Sequence, residues 1–436
     1  MIDIYVLDKN LQVVGVIDSY KSLIWANRYV KIGDCELYLT ANSESISLLT
    51  IGRYLARSDD DMVCVIKKIE IDTNINEGNY LIVTGYDVKS FLDQRIIWTT
   101  ERSNNSNLED FIRTIVTNNV VYPYSYETRQ FLKENGEQLI FLGDKANFSQ
   151  VITEQVTYKN VGEKIREYCN TYQWGYKFIL TDESFEFQLY SGTDRSSSVF
   201  FSNQYENLAS TKYKNDKTNL GNAAYVGGAG EGTERLVWNY GYSTGVDRFE
   251  LFVDAKDLSR STTWKDLTQS YPTASQGGYG YISGSSSPYS YEMSQVDIQI
   301  IEDSQLAWLK STFPGGEEVT IDGNLYYRAH DAAIAKLETN TPDENTTVTI
   351  EEIIYSIYLL NRGVQAVAEY GQKVSFEGSV IPNVTFVYKQ DYFLGDVVSV
   401  ENEYGISANA RIIEVVEVLD DKGYSVEPKF EYISTI

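Results

Sequence analysis

The stretch QDYFLGDVVSVENEYG, residues 390–405, contains the local signal on which the interpretation of the fold depends. An apolar run at 392–394 meets Gly395 and Asp396, and a second apolar run resumes at 397–400. Glycine can adopt a positive φ, and an aspartate side chain can accept hydrogen bonds from nearby backbone N–H groups. The two residues therefore predict the corner at which a β-strand begins, and this interpretation is favoured over a catalytic or metal-binding corner.

The same strand pattern extends over both ends of the chain. Residues 384–431 alternate apolar and polar side chains in several short runs. Near the N-terminus, IDIYVLD and LQVVGVID flank a turn at 8–10, and DMVCVIKKIEID pairs naturally with NYLIVTGYDV around residues 74–78. Closely spaced strands separated by turn residues predict a β-barrel or a β-sandwich.

Helical periodicity interrupts the strands in three places. Asn107 is placed to cap the first helix, and Thr349 with Glu352 forms a capping box for the third. For the third helix, packing on a neighbouring sheet is favoured over pairing with a partner helix, since Gly363 weakens a long coiled coil. The apolar stripes are Leu108, Phe111, Ile112, Ile115 and Val116 in the first helix, Val161, Ile165, Tyr168 and Tyr172 in the second, and Ile353, Ile357, Leu360, Val364 and Val367 in the third.

Hairpins and loops occupy the rest of the chain. YKFIL and FEFQLY flank residues 181–184 as a hairpin, and AAYV and RLVWNYG flank a glycine-rich turn. The stretch SQGGYGYISGSSSPYSY, residues 275–291, predicts a flexible or elaborated loop, and ETNTPDENTT, residues 338–347, predicts a linker. The chain contains 35 tyrosines, which indicates a β-rich protein with a binding surface.

The composition restricts the possible partners. The 436 residues include 37 Lys and Arg against 62 Asp and Glu, a formal charge of −25. Such a chain has nothing to replace the counterions of a nucleic acid, and it would be repelled by an anionic membrane surface. Cys35, Cys64 and Cys169 form no CxxC motif, so we expect no disulfide framework and folding in a reducing compartment. The chain has neither a window of transmembrane length nor the features of a signal peptide, which predicts a soluble protein.

Motifs of enzymatic chemistry are not found in the sequence. The single histidine, His330, lies in YYRAHDAAIAK, no GxSxG elbow accompanies it, and zinc ligands of the usual His and Cys kind are lacking. Residues 59–61, three consecutive aspartates, could bind calcium, but they lack the ligand spacing of an EF-hand and a solvated turn is favoured. The Gly-rich VGGAGEGTERL, residues 226–236, is neither a Walker A loop nor a dinucleotide-binding motif. We therefore assign no catalytic, cofactor or metal-binding residue.

Five segments, in order along the chain, resemble the tail-tip hub family of siphophages. They are NRYVKIGDCELYL at 27–39, LIVTGYDVKSFLDQRIIW at 81–98, NAAYVGGAGEGTERL with DRFELFVDAKDLS, NRGVQAVAEYGQKVSFEGSV, and the stretch at 390–405. This family corresponds to the structural N-terminal part of tail-associated lysins and is similar to the baseplate hub of contractile phages. The motif residues are Gly33, Glu36, Gly85, Asp87, Arg95, Asp254, Asp391, Gly395 and Asp396.

The resemblance implies a mainly β fold with α insertions (α+β), in which two tail-tube-like antiparallel β-barrel domains carry smaller inserted domains. The expected divisions are a first barrel at 1–100, an inserted helical or mixed region at 101–172, strands completing the barrels at 173–257, an inserted, partly loop-rich region at 258–348, a helix at 349–371, and the C-terminal strands of the second barrel at 372–436. The match does not cover 258–348. No lysin domain follows Ile436, so we expect no wall-degrading activity.

The resemblance also implies a structural virion protein without enzymatic activity or cofactors. It would be made in the host cytoplasm and form a homotrimeric hub at the tail tip. The partners would be the distal tail protein, the tape-measure protein, and fibre or receptor-binding proteins, while phage DNA would pass through without specific binding. A wall or capsule hydrolase using paired carboxylates and a glycan-binding adhesin remain the alternatives.

Overall fold

Strands dominate the computed structural model, which describes residues 2–74, 78–124, 127–241, 243–258, 279–282, 294–299, 306–307, 309–310, 315–321, 323–332, 336–337, 347–381, 385–405 and 407–432. The strands are β1 Ile4–Leu7, β2 Val13–Ile17, β3 Ser22–Arg28, β4 Asp34–Thr40, β5 Tyr54–Arg57, β6 Val63–Asn74, β7 Gly78–Asp87, β8 Glu101–Asn107, β9 Ile140–Leu142, β10 Val151–Val156, β11 Gly175–Leu180, β12 Phe185–Tyr190, β13 Phe200–Ser202, β14 Leu208–Asp216, β15 Ala223–Gly227, β16 Leu236–Tyr240, β17 Glu250–Asp254, β18 Tyr279–Ile282, β19 Ser294–Gln299, β20 Glu317–Ile321, β21 Asn324–Ala332, β22 Lys336–Leu337, β23 Thr347–Thr349, β24 Lys373–Val380, β25 Val397–Glu401, β26 Ser407–Asp420 and β27 Gly423–Tyr432. The helices are α1 Ser43–Leu48, α2 Leu108–Val116, α3 Val161–Tyr172 and α4 Ile350–Glu369, and a 3-10 turn spans Val88–Gln94.

One large sheet contains 13 strands drawn from both ends of the chain. Its order is β14-β24-β27-β26-β3-β4-β7-β6-β5-β1-β2, with β25 paired to β26 and β13 paired to β25. The predicted α+β class, mainly β, is confirmed. Among the described residues, however, the ladder runs between the open edges β2 and β14 and no barrel closes, because β26 pairs with β3 and so joins the two halves into one sheet.

The large sheet contains the same five-strand arrangement twice. In the N-terminal unit the order is β3-β4-β7-β6-β5, and in the C-terminal unit it is β14-β24-β27-β26-β25. The five strands follow each other along the chain in the same sequence in both units, and every neighbouring pair within a unit is antiparallel. Residues 414–419 of β26 pair with β3, which connects the C-terminal unit to the N-terminal unit.

The four hairpins expected from the sequence are confirmed. They are β1–β2, β6–β7, β11–β12 and β15–β16, and each is an antiparallel pair. The first two helices are confirmed as well, because α2 and α3 bury the predicted apolar stripes except for the half-buried Tyr172. Asn107 caps α2 as expected, since its side chain accepts a hydrogen bond from the backbone N–H of Asp110 at 3.1 Å.

Helix α4 packs on the sheet β17-β15-β16-β22, as expected for a helix that covers a sheet. The predicted stripe is not its buried face, because Tyr355, Tyr358 and Leu359 are buried. The half-buried residues of the stripe are Ile357, Leu360, Val364 and Val367. Gly363 permits close approach, because a Cβ at this position would lie 3.0 Å from Tyr240 and 3.2 Å from Val226. The side chains of the expected capping box, Thr349 and Glu352, are outside the described residues. Among the helices described, none is both long and apolar enough to cross a bilayer.

The stretch at 275–291 is not a loop throughout. Residues 279–282 form β18, which pairs with β19 and β23. The physical reason is local, since Tyr279, Tyr281 and Ile282 favour extended backbone despite the surrounding glycines and serines. The remainder of this stretch and residues 338–346 lie outside the described residues.

Candidate functional site

The corner at Gly395 and Asp396 is confirmed as the start of a strand, because β25 begins at Val397. Gly395 has a φ of +93°. Its N–H donates to the carbonyl of Ile412 at 2.8 Å, and the N–H of Ile412 donates to the carbonyl of Asp396 at 2.9 Å. This pair of hydrogen bonds fixes the corner against β26 at the point where that strand changes partner from β25 to β3.

Asp396 organises the corner through its side chain, which is 3% exposed. Its carboxylate accepts hydrogen bonds from the backbone N–H groups of Thr193 and Phe393 at 2.7 and 2.9 Å, and from Nε of Arg195 at 2.7 Å. A buried carboxylate needs such partners to offset the loss of its hydration. Asp396 therefore joins the segment after β12 to the C-terminal unit.

Tyr29 lies beside the corner, where Gly175 and Gly395 approach its ring. A Cβ at Gly395 would lie 2.5 Å from the ring, a Cβ at Gly175 would overlap the same ring, and a Cβ at Gly192 would overlap the Gly395 carbonyl. The Tyr29 hydroxyl donates to the carbonyl of Gln173 at 3.1 Å, and burial raises the pKa of Tyr29 to about 12. The N-terminal unit, β11 and the corner thus meet at one residue, and we call this contact the Tyr29 junction.

A cavity of about 680 Å³ lies beside the corner. Its walls include Asp396 and Arg195 on one side and the aspartates at 59–61 on the other. A pocket of this size with several convergent polar groups is the default candidate for a binding site in a protein. The charges around the cavity therefore decide which kind of ligand it could bind.

Cations neutralise all three consecutive aspartates. Asp59 lies 2.6 Å from Arg57, Asp60 lies 2.6 Å from Lys389, and Asp61 lies 2.8 Å from Lys177. No cluster of metal-ligating side chains occurs in the part of the chain that the structure describes. The aspartates therefore act as partners of these cations, and the calcium interpretation has no support in the geometry.

A charge network with a buried centre connects the two units, and it consists of Arg57, Asp59, Asp60, Lys389 and Glu417. Glu417 on β26 lies 3.0 Å from Arg57 and 3.0 Å from Lys389. The side chains of Arg57 and Glu417 are 0% and 2% exposed. Burial alone would raise the pKa of Asp59, but the hydrogen bond and charge of Arg57, together with the charge of Lys389, outweigh it and hold this pKa below its ordinary value.

Three of the predicted motif residues shape the N-terminal unit. The Gly33 carbonyl accepts a hydrogen bond from the Asp87 N–H at 2.9 Å. The Asp87 carboxylate is buried beside the cavity and caps the 3-10 turn by accepting from the N–H of Lys89 at 3.0 Å, while burial raises its pKa. A Cβ at Gly85 would lie 2.8 Å from Sγ of Cys35, so glycine allows β4 and β6 to approach β7.

The other four motif residues are dispersed. Glu36 is exposed on β4. Nε of Arg95 donates to the carbonyl of Arg129 at 2.8 Å, and Asp254 pairs with Arg235 at 2.6 Å. Asp391 accepts from the N–H of Val387 at 2.7 Å. The structure therefore brings Asp87 and Asp396 to one cavity, with Gly395 next to Asp396 in the chain, but places Glu36, Arg95, Asp254 and Asp391 elsewhere. Most of the set holds turns and strand ends.

Four residues that the sequence did not identify as important make the main contacts of this region, namely Tyr29, Arg57, Lys389 and Glu417. Tyr29 falls within the quoted segment 27–39, so a close look at aromatic residues there could have found it. Arg57 and Glu417 are separated by 360 positions, and no local pattern reveals such a pair. The structure adds no support for a catalytic site at His330, whose side chain is outside the described residues. All three cysteines are buried and form no disulfide.

One family profile matches nearly the whole chain. The sequence profile of a family described as Siphovirus ReqiPepy6 Gp37-like protein matches residues 3–430. No protein among the curated sequences matches. A tail protein from Neisseria meningitidis is 10% identical, with 98% of this chain and 95% of that chain covered and a TM-score of 0.48. The prophage MuSo2 43 kDa tail protein from Shewanella oneidensis is 8% identical, with 98% of both chains covered and a TM-score of 0.47. The prophage tail protein gp18 from Listeria monocytogenes is 11% identical, with 100% of this chain and 95% of that chain covered and a TM-score of 0.45.

Proposed function

The chain belongs to the siphovirus ReqiPepy6 Gp37-like family of phage tail proteins, and on that premise we propose that it forms a trimeric, non-enzymatic hub at the distal end of a tail. In this proposal the hub closes or extends the tail tube in the virion. It anchors the distal tail protein, the tape-measure protein, and fibre or receptor-binding proteins. It also converts the six-fold symmetry of the tube to three-fold symmetry.

The duplicated five-strand unit is the observation that carries this proposal. Each chain contains two units of the same topology in one continuous sheet. Three copies therefore place six such units around one axis, in a closed ring of heterologous contacts. In this proposal the N-terminal and C-terminal units are the cores of the two tube-like domains, at 1–100 and 372–436 with strands from 173–257. The regions 101–172 and 258–348 and the helix at 349–371 are insertions.

Imaging of the purified full-length protein in negative stain tests the proposal. Class averages viewed along the symmetry axis should show a three-fold ring around a pore, because closing the ring pairs strand edges that a single copy leaves open. Mixing with the distal tail protein should increase the fraction of rings. Compact monomers at high concentration, with and without that protein, would refute the trimeric hub.

The open face of the large sheet supports a channel through which DNA passes without binding. Glu36 and Glu427 are exposed on the face opposite the buried core, on strands that flank the β26–β3 pairing. Carboxylates on a lumen wall repel the phosphate backbone, in keeping with the formal charge of −25. In this proposal the face lines the channel.

Charge reversal on this face should slow genome ejection. We expect phage that carry Glu36→Lys with Glu427→Lys to eject DNA roughly several-fold more slowly, because lysines in the lumen would bind the passing phosphates. Ejection is measured from purified virions by the release of a fluorescent DNA dye. Asp182→Lys with Glu183→Lys, an exposed pair at the β11–β12 turn, is the matched control. Equal rates for the two variants would exclude this face from the channel.

A further inference from the structure

The two five-strand units correspond in detail at their corners. Gly52 before β5 has a φ of +87°, close to the +93° of Gly395 before β25. The N–H of Gly52 donates to the carbonyl of Ile66 at 3.0 Å, and the N–H of Ile66 donates to the carbonyl of Arg53 at 2.8 Å. The corner at Gly395 makes the same two hydrogen bonds with Ile412. β6 is therefore the equivalent of β26.

Both equivalent strands continue past a bulge. The register of β6 shifts between Ile66 and Lys68, and that of β26 shifts between Ile412 and Glu414. Beyond its bulge, β26 leaves β25 and pairs through residues 414–419 with β3, the first strand of the other unit. Beyond its own bulge, β6 leaves β5, and residues 68–73 have only β7 beside them among the described residues.

The strand equivalent to β3 in the C-terminal unit, β14, also has an open edge. β3 is the first strand of the N-terminal unit and β14 is the first strand of the C-terminal unit. β14 pairs with β24 on one side and has no strand on its other side within the described chain. Each chain therefore contains one completed junction between units, β26–β3, and the two open halves of another.

We propose that residues 68–73 of β6 pair antiparallel with residues 211–216 of β14 in a second copy of this chain, in the register of the β26–β3 junction. This inference rests on the proposed trimer and names the surfaces that build it. The ring would then consist of two kinds of junction in alternation, one within each chain and one between chains. Both kinds of junction would pair equivalent residues of equivalent strands.

The register follows from the strand pairings. The equivalent residues on successive strands are Lys68 and Glu414, Thr84 and Lys429, Asp34 and Ser375, and Ala26 and Lys214. Within the chain, Glu414 lies opposite Arg28, two positions after Ala26. Carried over to the open strands, the opposing pairs are Lys68 and Asp216, Glu70 and Lys214, Ile71 and Tyr213, and Asp72 and Lys212.

The charges agree with this register, because all three charged pairs have opposite signs. A two-residue slip in one direction would bring Lys68 opposite Lys214. The same slip in the other direction would bring Glu70 opposite Asp216. Like charges directly opposite each other destabilise a pair of strands, so the charge pattern selects one register.

The apolar pair points to the same contact. Ile71 and Tyr213 are 51% and 39% exposed in the single chain, and both would be covered by the pairing. Along each strand the neighbouring charges already form ion pairs, with Lys68 2.8 Å from Glu70 and Lys214 2.6 Å from Asp216. Pairing adds cross-strand partners to these groups and satisfies two rows of open backbone groups.

A charge-swap experiment on the full-length chain tests the proposal, with mass measured by light scattering. Glu70→Lys with Asp72→Lys should lower the mass threefold, from trimer to monomer, and Lys212→Glu with Lys214→Glu should do the same. All four changes in one chain should restore the trimer, because each reversed β6 then meets a reversed β14. Asp182→Lys with Glu183→Lys is the control and should remain trimeric.

The outcomes separate this interface from the trimer itself. A trimeric wild type whose reversal variants remain trimeric, or whose combined variant stays monomeric while folded, would overturn the β6–β14 pairing alone. A wild type that is monomeric under every condition would overturn the proposed hub as well.

Cross-linking provides a second readout, in variants that carry only one or two cysteine substitutions. With a short bis-maleimide reagent, Ile71→Cys with Tyr213→Cys should yield covalent dimers and trimers, while each single variant should yield neither. The native cysteines are buried and do not compete. Covalent dimers from Ile71→Cys alone would show a symmetric β6–β6 contact and overturn the proposal.

Discussion

Gly395→Ala should destabilise the protein by about 3 kcal/mol or more, because the added Cβ meets two independent obstacles. A left-handed φ costs an L-residue about 1–2 kcal/mol, and forcing a methyl group into a packed site costs about 1–3 kcal/mol. Here φ is +93° and the Cβ would lie 2.5 Å from the Tyr29 ring, which also packs closely against Gly175. The loss is measured by denaturant unfolding of the purified variant.

Gly405→Ala is the matched control for this prediction. Gly405 also has a positive φ, +74°, but no atom would lie within 4 Å of its added Cβ. It should therefore show only the backbone cost of about 1–2 kcal/mol. Equal losses for the two variants would show that the Tyr29 junction is not tightly packed.

Arg57→Met should cost about 3–5 kcal/mol, because it removes a cation from the buried carboxylate of Glu417. The Arg57 side chain is fully buried and its two carboxylate partners, Asp59 and Glu417, belong to different parts of the chain. Glu417 keeps Lys389 at 3.0 Å, so we expect the lower end of this range. The free energy of unfolding, measured in urea, is the readout.

A second variant and a surface control sharpen this prediction. Arg57→Met with Glu417→Met should recover most of the stability, because an apolar pair of similar volume replaces the buried ion pair. Lys9→Met removes the exposed pair with Glu134 and should cost at most about 1 kcal/mol. If Arg57→Met costs no more than Lys9→Met, the charge network does not hold the two units together.

Local features of this fold could be predicted from the sequence. The corner at Gly395 and Asp396, the helix cap at Asn107 and the four hairpins depend on residues within a few positions of each other, and all are confirmed. The resemblance to siphophage tail proteins is confirmed by the family match over residues 3–430. Residues 279–282 were predicted wrongly, because overall glycine and serine content masked a short alternation of β-formers.

The long-range features could not be predicted in this way. The duplicated unit has almost no sequence signature, since Trp25 and Ile24 of β3 correspond to Tyr213 and Lys212 of β14. Strand topology tolerates such exchanges because backbone hydrogen bonds define the pairing and side chains only select the register. The charge network could not be predicted for another reason. Asp and Glu are common at protein surfaces, so nothing in the sequence distinguishes these carboxylates, and only the fold brings them together.

The pairing of β26 with β3 also has a consequence for the time course of folding. Arg28 of β3 and Glu414 of β26 are separated by 386 positions, so a ribosome must synthesise nearly the whole chain before β3 receives its second neighbour. Contacts between such distant segments form slowly, and domains synthesised first fold first. The nascent N-terminal unit therefore waits with an unprotected strand edge, and chaperones that cover such an edge would raise the yield of folded protein.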